Sequence, residues 1–355
     1  MTSIHTIQVH TAPAYDVVIG PGLLSSCGDY LRPLLPGSRI AVVADDKVAP
    51  LYLEPVLNSL RGAGFSVCSH AFPAGEAHKN ADTLLELLTF LAENQITRSD
   101  CLLALGGGVC GDMAGFAAAV YLRGIRCVQL PTTLLAAVDS SVGGKTAIDL
   151  PAGKNLVGAF LQPTAVLCDV ASFKTLPPAC YVDGAAEAIK TGVLSGEELF
   201  SLAEKGGMGS DPADLIARCI QYKAGVVERD EREQGERRLL NLGHTVGHAI
   251  EHCSRYTIPH GHAVAAGLAI VAKAADRLGW SDVPVAPRIS RCLLLHGLPT
   301  GSSFSAHELA QAALADKKRS GDEITLVIPR RIGLCDQKKI PVSQLEAVIS
   351  AGLEV

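Results

Sequence analysis

The densest chemistry in this chain lies in residues 237–251, Arg-Arg-Leu-Leu-Asn-Leu-Gly-His-Thr-Val-Gly-His-Ala-Ile-Glu. Apolar residues recur there at helical spacing, which places Asn241, His244 and His248 on one face of a helix. Histidines at i and i+4 can close on one metal ion, because successive turns bring their imidazoles together. A histidine pair on a solvated or core helix has the same spacing. The zinc-protease pattern is excluded, since Thr245 stands where its general-base Glu is needed. His252 reads as a surface residue. A second cluster, His260-Gly261-His262, follows Pro259, where a further helix can present a ligand from another direction. Glu187 and Lys190 share a face of an otherwise apolar helical run, and an acid in such surroundings needs Lys190 or a metal as partner. With His244 and His260, Glu187 makes a two-histidine, one-carboxylate set that leaves a zinc ion open positions for substrate. Lys223, Arg237 and the pair Lys317-Lys318 add cations, whose convergence on an acidic protein would focus potential on an anion.

Gly106-Gly107-Gly108-Val109-Cys110-Gly111-Asp112 follows a buried strand at 101–105 and opens a helical run at 113–121. Glycines at a strand-to-helix turn let backbone N–H groups approach a pyrophosphate, which the positive helix end favours. The turn lies on a later strand than the usual dinucleotide fingerprint, and a Gly-rich packing turn would look the same. Asp45 ends the strand at 40–44, where it can take ribose hydroxyls. Glu76 and Lys79 follow the next strand on the same sheet edge, or sit in a solvated loop. The segment 130–145, carrying Asp139 and Lys145 among small polar residues and glycines, is followed by Gly153-Lys154-Asn155. Flexible turns with Lys, Asn and Asp suit a phosphorylated polyol: lysine supplies charge, and the others select hydroxyls.

These residues need a scaffold, and 355 residues suit two domains. A chain that is 48% hydrophobic but 5% aromatic, with 35 glycines, packs Ala, Val and Leu between tight turns, as α/β enzymes do. A net charge of −5 argues against nucleic acid or an anionic membrane as partner. The 11 cysteines are scattered without a Cys-x-x-Cys pair, and several lie in apolar runs, so a reducing compartment, the cytoplasm, is expected. No signal peptide is expected, and the apolar window 102–122 is interrupted by glycines and Asp112, which argues against a membrane span.

A strand pair is expected at 5–10 and 15–20, then strands at 40–44, 65–72, 101–105, 127–130 and 165–168, with helices at 50–60 and 81–92 between them. Such alternation means a parallel sheet covered on both faces. Beyond Pro177-Pro178 the pattern turns helical, at 185–193, 197–205, 212–227, 239–253, 263–278, 285–296 and 307–317, with one short strand at 323–328. The division is therefore an α/β domain over 1–176 and an all-α domain over 177–355, sharing a cleft.

Together these motifs resemble the 3-dehydroquinate synthase family, within the sugar-phosphate cyclases, over nearly the whole chain. The likeness is carried by Gly-Gly-Gly-Val-Cys-Gly-Asp, Leu-Pro-Thr-Thr-Leu-Leu-Ala through Val-Asp-Ser-Ser-Val-Gly-Gly-Lys, Gly-Lys-Asn, Ala-Glu-Ala-Ile-Lys, and Leu-Asn-Leu-Gly-His-Thr-Val-Gly-His. The resemblance implies a Rossmann-like N-terminal domain that binds NAD and a helical C-terminal domain that binds zinc, or cobalt in its place. It makes Glu187, His244 and His260 the metal ligands. Gly107, Gly108, Val109, Asp112, Thr132, Thr133 and Thr175 would hold NAD, with Asp45, Glu76 and Lys79 towards its adenosine end. Asp139, Lys145, Asn155, Lys190, Lys223, Arg237, Asn241, His248 and one of Lys317 or Lys318 would surround the substrate, and Lys154 belongs to both sets. Arg123 matches an arginine that the family lends across a homodimer interface to the substrate phosphate. Two positions depart from the family pattern: His262 replaces the usual Glu after His-Gly, giving a rival ligand beside His260, and Ala179-Cys180 replaces Arg-Glu after the paired prolines.

The reaction so implied converts 3-deoxy-D-arabino-heptulosonate 7-phosphate to 3-dehydroquinate and phosphate, a lyase step of the shikimate pathway to aromatic amino acids. It proceeds by transient oxidation with NAD, β-elimination of phosphate, re-reduction and intramolecular aldol closure, with Arg237 and Lys223 anchoring the substrate carboxylate. Rival functions are a sister cyclase acting on another sugar phosphate, a metal-dependent polyol dehydrogenase, and a non-catalytic NAD-binding or scaffold module. The last would not need Glu187, His244 and His260 together.

Overall fold

A computed structural model describes residues 4–206, 210–315, 319–320 and 322–354. The chain divides into two compact units, Met1–Pro177 with Lys223–Glu231, and Pro178–Tyr222 with Arg232–Val355. Among the described residues no helix is long and apolar enough to cross a membrane.

In the first unit β1 (His5–Val9) and β2 (Tyr15–Gly20) form an antiparallel pair. There follow α1 (Leu23–Leu31), β3 (Arg39–Asp45), α2 (Ala49–Gly62), β4 (Ser66–Phe72), α3 (Ala81–Glu93), β5 (Cys101–Gly106), α4 (Gly108–Val120) and β6 (Arg126–Pro131). A separate antiparallel hairpin, β7 (Lys145–Leu150) and β8 (Gly153–Phe160), precedes β9 (Ala165–Asp169). The main sheet runs β1-β2-β9-β6-β5-β3-β4, and every pairing after the first is parallel.

Strands β3 and β5 are apolar runs because both faces are covered. Ile40, Val42 and Leu103 pack with Leu57 and Leu60 of α2, whereas Ala41, Val43 and Leu102 pack with Leu87 of α3 and Met113 and Ala117 of α4. The helices after β3 and β5 thus leave on opposite faces of two neighbouring strands, which opens a crevice at their carboxyl ends. Asp45 and Gly106-Gly107-Gly108 stand at those ends. Helix α1 escapes sequence reasoning because Gly28 sits inside it; an added Cβ there would lie 2.3 Å from the Ser59 carbonyl oxygen, so the glycine serves close packing on α2 at the expense of helix propensity.

In the second unit α5 (Pro178–Ser195), α6 (Glu197–Glu204), α7 (Pro212–Arg229), α8 (His244–Cys253), α9 (His260–Arg277), α10 (Ala286–Leu295), α11 (Ala306–Ala315) and α12 (Leu345–Leu353) dominate. From Lys223 onward, α7 groups with the first unit. Three strands, β10 (Arg319–Ser320), β11 (Glu323–Arg331) and β12 (Leu334–Pro341), form an antiparallel sheet. The single strand expected at 323–328 is therefore paired on both sides. Its partner β12 is largely exposed and reads Leu-Cys-Asp-Gln-Lys-Lys-Ile-Pro, without the apolar run that marks a strand.

One continuous helix over 239–253 does not form. Residues Glu236–Asn241 make a 3₁₀ turn, Gly243 takes φ 79°, and α8 starts at His244. Asn241 is consequently not on the face that carries His244 and His248. Gly243 is required twice over: its φ is left-handed, and a Cβ would lie 2.9 Å from the Leu268 nitrogen on α9. With Gly267, where a Cβ would meet the Gly243 carbonyl oxygen at 2.2 Å, it lets α8 and α9 touch backbone to backbone.

The start of the central sheet is pinned by Asp100, 2% exposed, whose carboxylate accepts the backbone N–H groups of Arg39 and Thr97, both at 2.7 Å, and the Thr97 hydroxyl at 2.8 Å. Burial alone would raise its pKa, but these donors outweigh it and hold the carboxyl below its usual range. Asp100→Ala is expected to cost on the order of 2–3 kcal/mol at neutral pH. Because the folded pKa is depressed, the gap from the unsubstituted protein should be full above about pH 4 and shrink as pH falls through the folded value. Urea midpoints of both proteins measured between pH 7 and pH 3 check this.

Candidate metal centre and nucleotide turn

Glu187, on α5, is fully buried, with Ala186 and Ala188 beside it in the chain, so its charge must be met by polar groups around it. Oε2 lies 2.5 Å from Nζ of Lys190, one turn on and 2% exposed. Oε1 faces two imidazoles, with Nε2 of His244 at 3.7 Å and Nε2 of His260 at 3.5 Å. Ligand atoms of Glu187, His244 and His260 lie within 4.8 Å of one another. The backbone contact of α8 with α9 makes this convergence possible, since each histidine is the first residue of its helix. One carboxylate and two neutral imidazoles suit Zn²⁺ or Co²⁺ and leave coordination positions open.

Behind the rings, His244 Nδ1 lies 3.1 Å from the Leu242 carbonyl and His260 Nδ1 lies 3.2 Å from Glu251 Oε2. Burial disfavours a charged His260, but Glu187 and Glu251 outweigh it and lift its pKa to about 10. A cation binding here would displace the proton on Nε2. His248 does not join the Glu187 set; with Glu251 and His260 it forms a second candidate group that shares His260. His262 is in neither candidate group among the described residues. Its Nδ1 lies 3.2 Å from Asp183 Oδ1, and its backbone N–H donates to the same atom at 3.1 Å. Arg237, 1% exposed, lies in the 3₁₀ turn before α8, and Asn241 at the end of that turn donates to Glu233 Oε1 at 2.5 Å.

In the first unit the glycine turn lies at the carboxyl end of β5, with α4 beginning at Gly108 and Gly107 extended before it. A Cβ on Gly107 would lie 3.0 Å from Thr133 Cγ2, and one on Gly108 would lie 3.1 Å from Ser140 Oγ, so side chains there would fill the cradle. Thr132 is 4% exposed, and its hydroxyl has no protein partner among the described residues. Asp45 Oδ1 accepts the backbone N–H groups of Lys47 at 3.0 Å and Val48 at 2.9 Å, which fixes its carboxylate beside Gly106. A backbone cradle, a buried hydroxyl and a carboxylate at a sheet crevice fit the pyrophosphate and ribose of a dinucleotide. Val109 lies in the first turn of α4, whereas Thr175 is exposed and bonds Tyr52 Oη at 2.5 Å.

Lys79 joins this turn to the β7–β8 hairpin. Its Nζ lies 2.5 Å from Asp112 Oδ2 on α4 and 2.6 Å from Asn155 Oδ1, while Lys154 pairs with Glu76 at 2.8 Å. Burial works against the ammonium, yet Asp112 and Glu76 hold the Lys79 pKa above its usual value. Asp139 meets Lys223, with Nζ to Oδ1 at 2.5 Å. Lys145 is exposed at the start of β7, and Arg123 is exposed in a turn at φ 69°. Lys317 and Lys318 lie outside the described residues. Among the described residues no cysteine forms a disulfide, and most are buried; burial pushes Cys127 up to about 12, so it packs rather than reacts.

The family model described as 3-dehydroquinate synthase N-terminal matches residues 69–183, and the corresponding C-terminal model matches 184–319. The chain belongs to the 3-dehydroquinate synthase family. A 3-dehydroquinate synthase from Neisseria gonorrhoeae is 45% identical over 337 residues, covering 92% of this chain and 94% of that protein. One from a Picosynechococcus species is 43% identical over 331 residues, covering 90% and 91%. Among solved structures, 2-epi-5-epi-valiolone synthase from Streptomyces hygroscopicus, with NAD⁺ and Zn²⁺ bound, superposes with a TM-score of 0.84 at 25% identity, covering 95% of this chain and 96% of that one.

Three polar residues that hold candidate groups in place carry no assignment from sequence. Glu251 was legible, since it stands three residues after His248 on the same helical face. Glu233 lies outside any periodic run. Asp149 accepts the backbone N–H of Asn155 at 2.7 Å, and Asn155 has φ 53°, a left-handed turn that no motif announced.

Lys79→Met leaves the Asp112 carboxylate without its buried cation and should destabilise the protein by about 3–5 kcal/mol in denaturant unfolding. His244→Ala should keep the fold and lose stoichiometric metal. Adding Zn²⁺ at about 100 times its Kd should stabilise the unsubstituted protein by about 2.7 kcal/mol and leave the variant's melting temperature unmoved.

Proposed function

We propose that this chain is an NAD- and metal-dependent 3-dehydroquinate synthase, a phosphate-eliminating lyase that converts 3-deoxy-D-arabino-heptulosonate 7-phosphate to 3-dehydroquinate and phosphate. The observation that carries this is the match of both family models over 69–319, with Glu187, His244 and His260 brought together inside it. When bound, NAD supplies a hydride acceptor that is restored within the cycle, and the metal ion supplies a Lewis acid.

Metal binding falls to Glu187, His244 and His260. NAD binding falls to Gly107, Gly108, Val109, Asp112, Thr132, Thr133 and Thr175, with Asp45, Glu76, Lys79 and Lys154. Substrate groups proposed in the first unit are Asp139, Lys145, Asn155 and Lys223; those in the second are Lys190, Arg237, Asn241 and His248, with Lys317 or Lys318. Arg237 is a buried cation on an acidic chain, the kind of group that a substrate carboxylate selects and a plain sugar phosphate does not require. Lys190 steadies the outer oxygen of Glu187, so that Oε1 stays turned to the imidazoles. His248 is assigned, with the lysines, to stabilising charge during phosphate loss. A homodimer in the cytoplasm, with Arg123 lent to the partner, completes the proposal.

The sister cyclases share the fold, as the valiolone synthase likeness makes plain, so the substrate decides between them. Phosphate release from 3-deoxy-D-arabino-heptulosonate 7-phosphate is to be measured with zinc present and NAD far below substrate. Many phosphates per NAD without accumulating NADH are expected, and sedoheptulose 7-phosphate should not substitute. NADH build-up would indicate a polyol dehydrogenase, and turnover of the sedoheptulose ester alone a sister cyclase; either overturns the proposal.

A further inference from the structure

The two imidazoles of the metal set are braced by chemically different groups. His244 Nδ1 meets the Leu242 carbonyl, which can only accept, so the ring carries its proton there and turns Nε2 towards Glu187. His260 Nδ1 meets a carboxylate, Glu251 Oε2 at 3.2 Å, and its Nε2 also faces Glu187. Glu251 is 2% exposed, so its carboxylate is held by groups within the protein, of which His260 Nδ1 is one. It stands on α8, the helix that carries His244, and reaches the first residue of α9. A carboxylate behind a ligating imidazole fixes the tautomer, locks the ring plane and raises the basicity of the nitrogen at the metal.

His262 supplies the contrast. It lies two residues from His260 in the same first turn, yet its Nδ1 and its backbone N–H are both taken by Asp183 on α5. Asp183 is held close to that turn, because Gly261 leaves no room for a Cβ, which would lie 1.9 Å from the Asp183 carbonyl oxygen. Two histidines therefore enter α9 side by side, each claimed by its own carboxylate, and the carboxylate on α8 is the one that turns its ring towards Glu187.

We propose that Glu251 is the positioning residue of this metal centre: it orients His260, selects it over His262 as the ligand, and sets how tightly the ion is held. The inference rests on the metal set assigned above. It is tested on full-length protein stripped of metal, by titrating Zn²⁺ against a chromophoric chelator and Co²⁺ by its visible absorption. The proteins compared are the unsubstituted chain, Glu251→Ala, Glu251→Gln and His262→Ala, and metal-free melting temperatures are recorded alongside. Glu251→Ala should bind metal about 10–100-fold more weakly with an altered Co²⁺ spectrum. Glu251→Gln should lose less, because its amide oxygen still accepts the Nδ1 proton without supplying charge; it also decides the matter if the alanine variant does not fold. His262→Ala should bind as the unsubstituted chain does. Melting temperatures that fall in both Glu251 variants while metal affinity and spectrum stay within about twofold of the original would mark Glu251 as merely structural and overturn the proposal. No metal on the unsubstituted chain would instead overturn the metal set itself.

Discussion

The second unit is arranged around one difficulty, an ionised carboxylate with no access to water. Glu187 is fully buried between Ala186 and Ala188 on α5, and an isolated charge there would cost several kcal/mol. Lys190 balances one oxygen from the same helix. The other faces two imidazoles from outside α5, whose Nε2 atoms make that side of the carboxylate a place for a cation. For both rings to reach Glu187, α8 and α9 must begin beside each other, which only backbone contact allows. Gly243 and Gly267 are thus as much part of the centre as the ligands.

In the first unit the corresponding constraint is a turn that must stay open. Side chains at Gly107 or Gly108 would press on Thr133 or Ser140, and the helix that follows must still be anchored. Charge adds to its packing on the sheet: Asp112 in the first turns of α4 is tied through buried Lys79 to Asn155 at the β7–β8 hairpin. One ammonium therefore fixes a helix start and a loop at once. Asp149 completes the tie, since it holds the Asn155 backbone N–H while its own N–H donates to the Lys79 carbonyl at 2.8 Å.

What the sequence made legible follows from which signals are local. Apolar runs such as those of β3 and β5 report burial on both faces, and the family motifs report the residues that do chemistry, so the parallel sheet, the helical second unit and the Glu187, His244 and His260 set could be read without coordinates. Features that depend on a partner elsewhere could not. Helix α1 was hidden by Gly28, whose purpose is a contact with α2. Strand β12 was hidden by its exposure. The helix drawn through Asn241 and His244 ignored Gly243, whose left-handed φ answers to α9 and not to its own segment. His262 looked equivalent to His260 because sequence shows two histidines and not the carboxylate behind each.

The last point bears on how much a fold can say about substrate. A solved synthase of another name, 2-epi-5-epi-valiolone synthase, shares this architecture at 25% identity, so the fold alone does not select the substrate. A carboxylate on the substrate is an additional demand, which a guanidinium meets well because its planar fork matches the two oxygens. Arg237 is 1% exposed on a chain of net charge −5, in the turn that leads straight into the histidines of α8. Under the function proposed above it is the cation assigned to the substrate carboxylate, a role that adds to the contacts the guanidinium already makes within the protein.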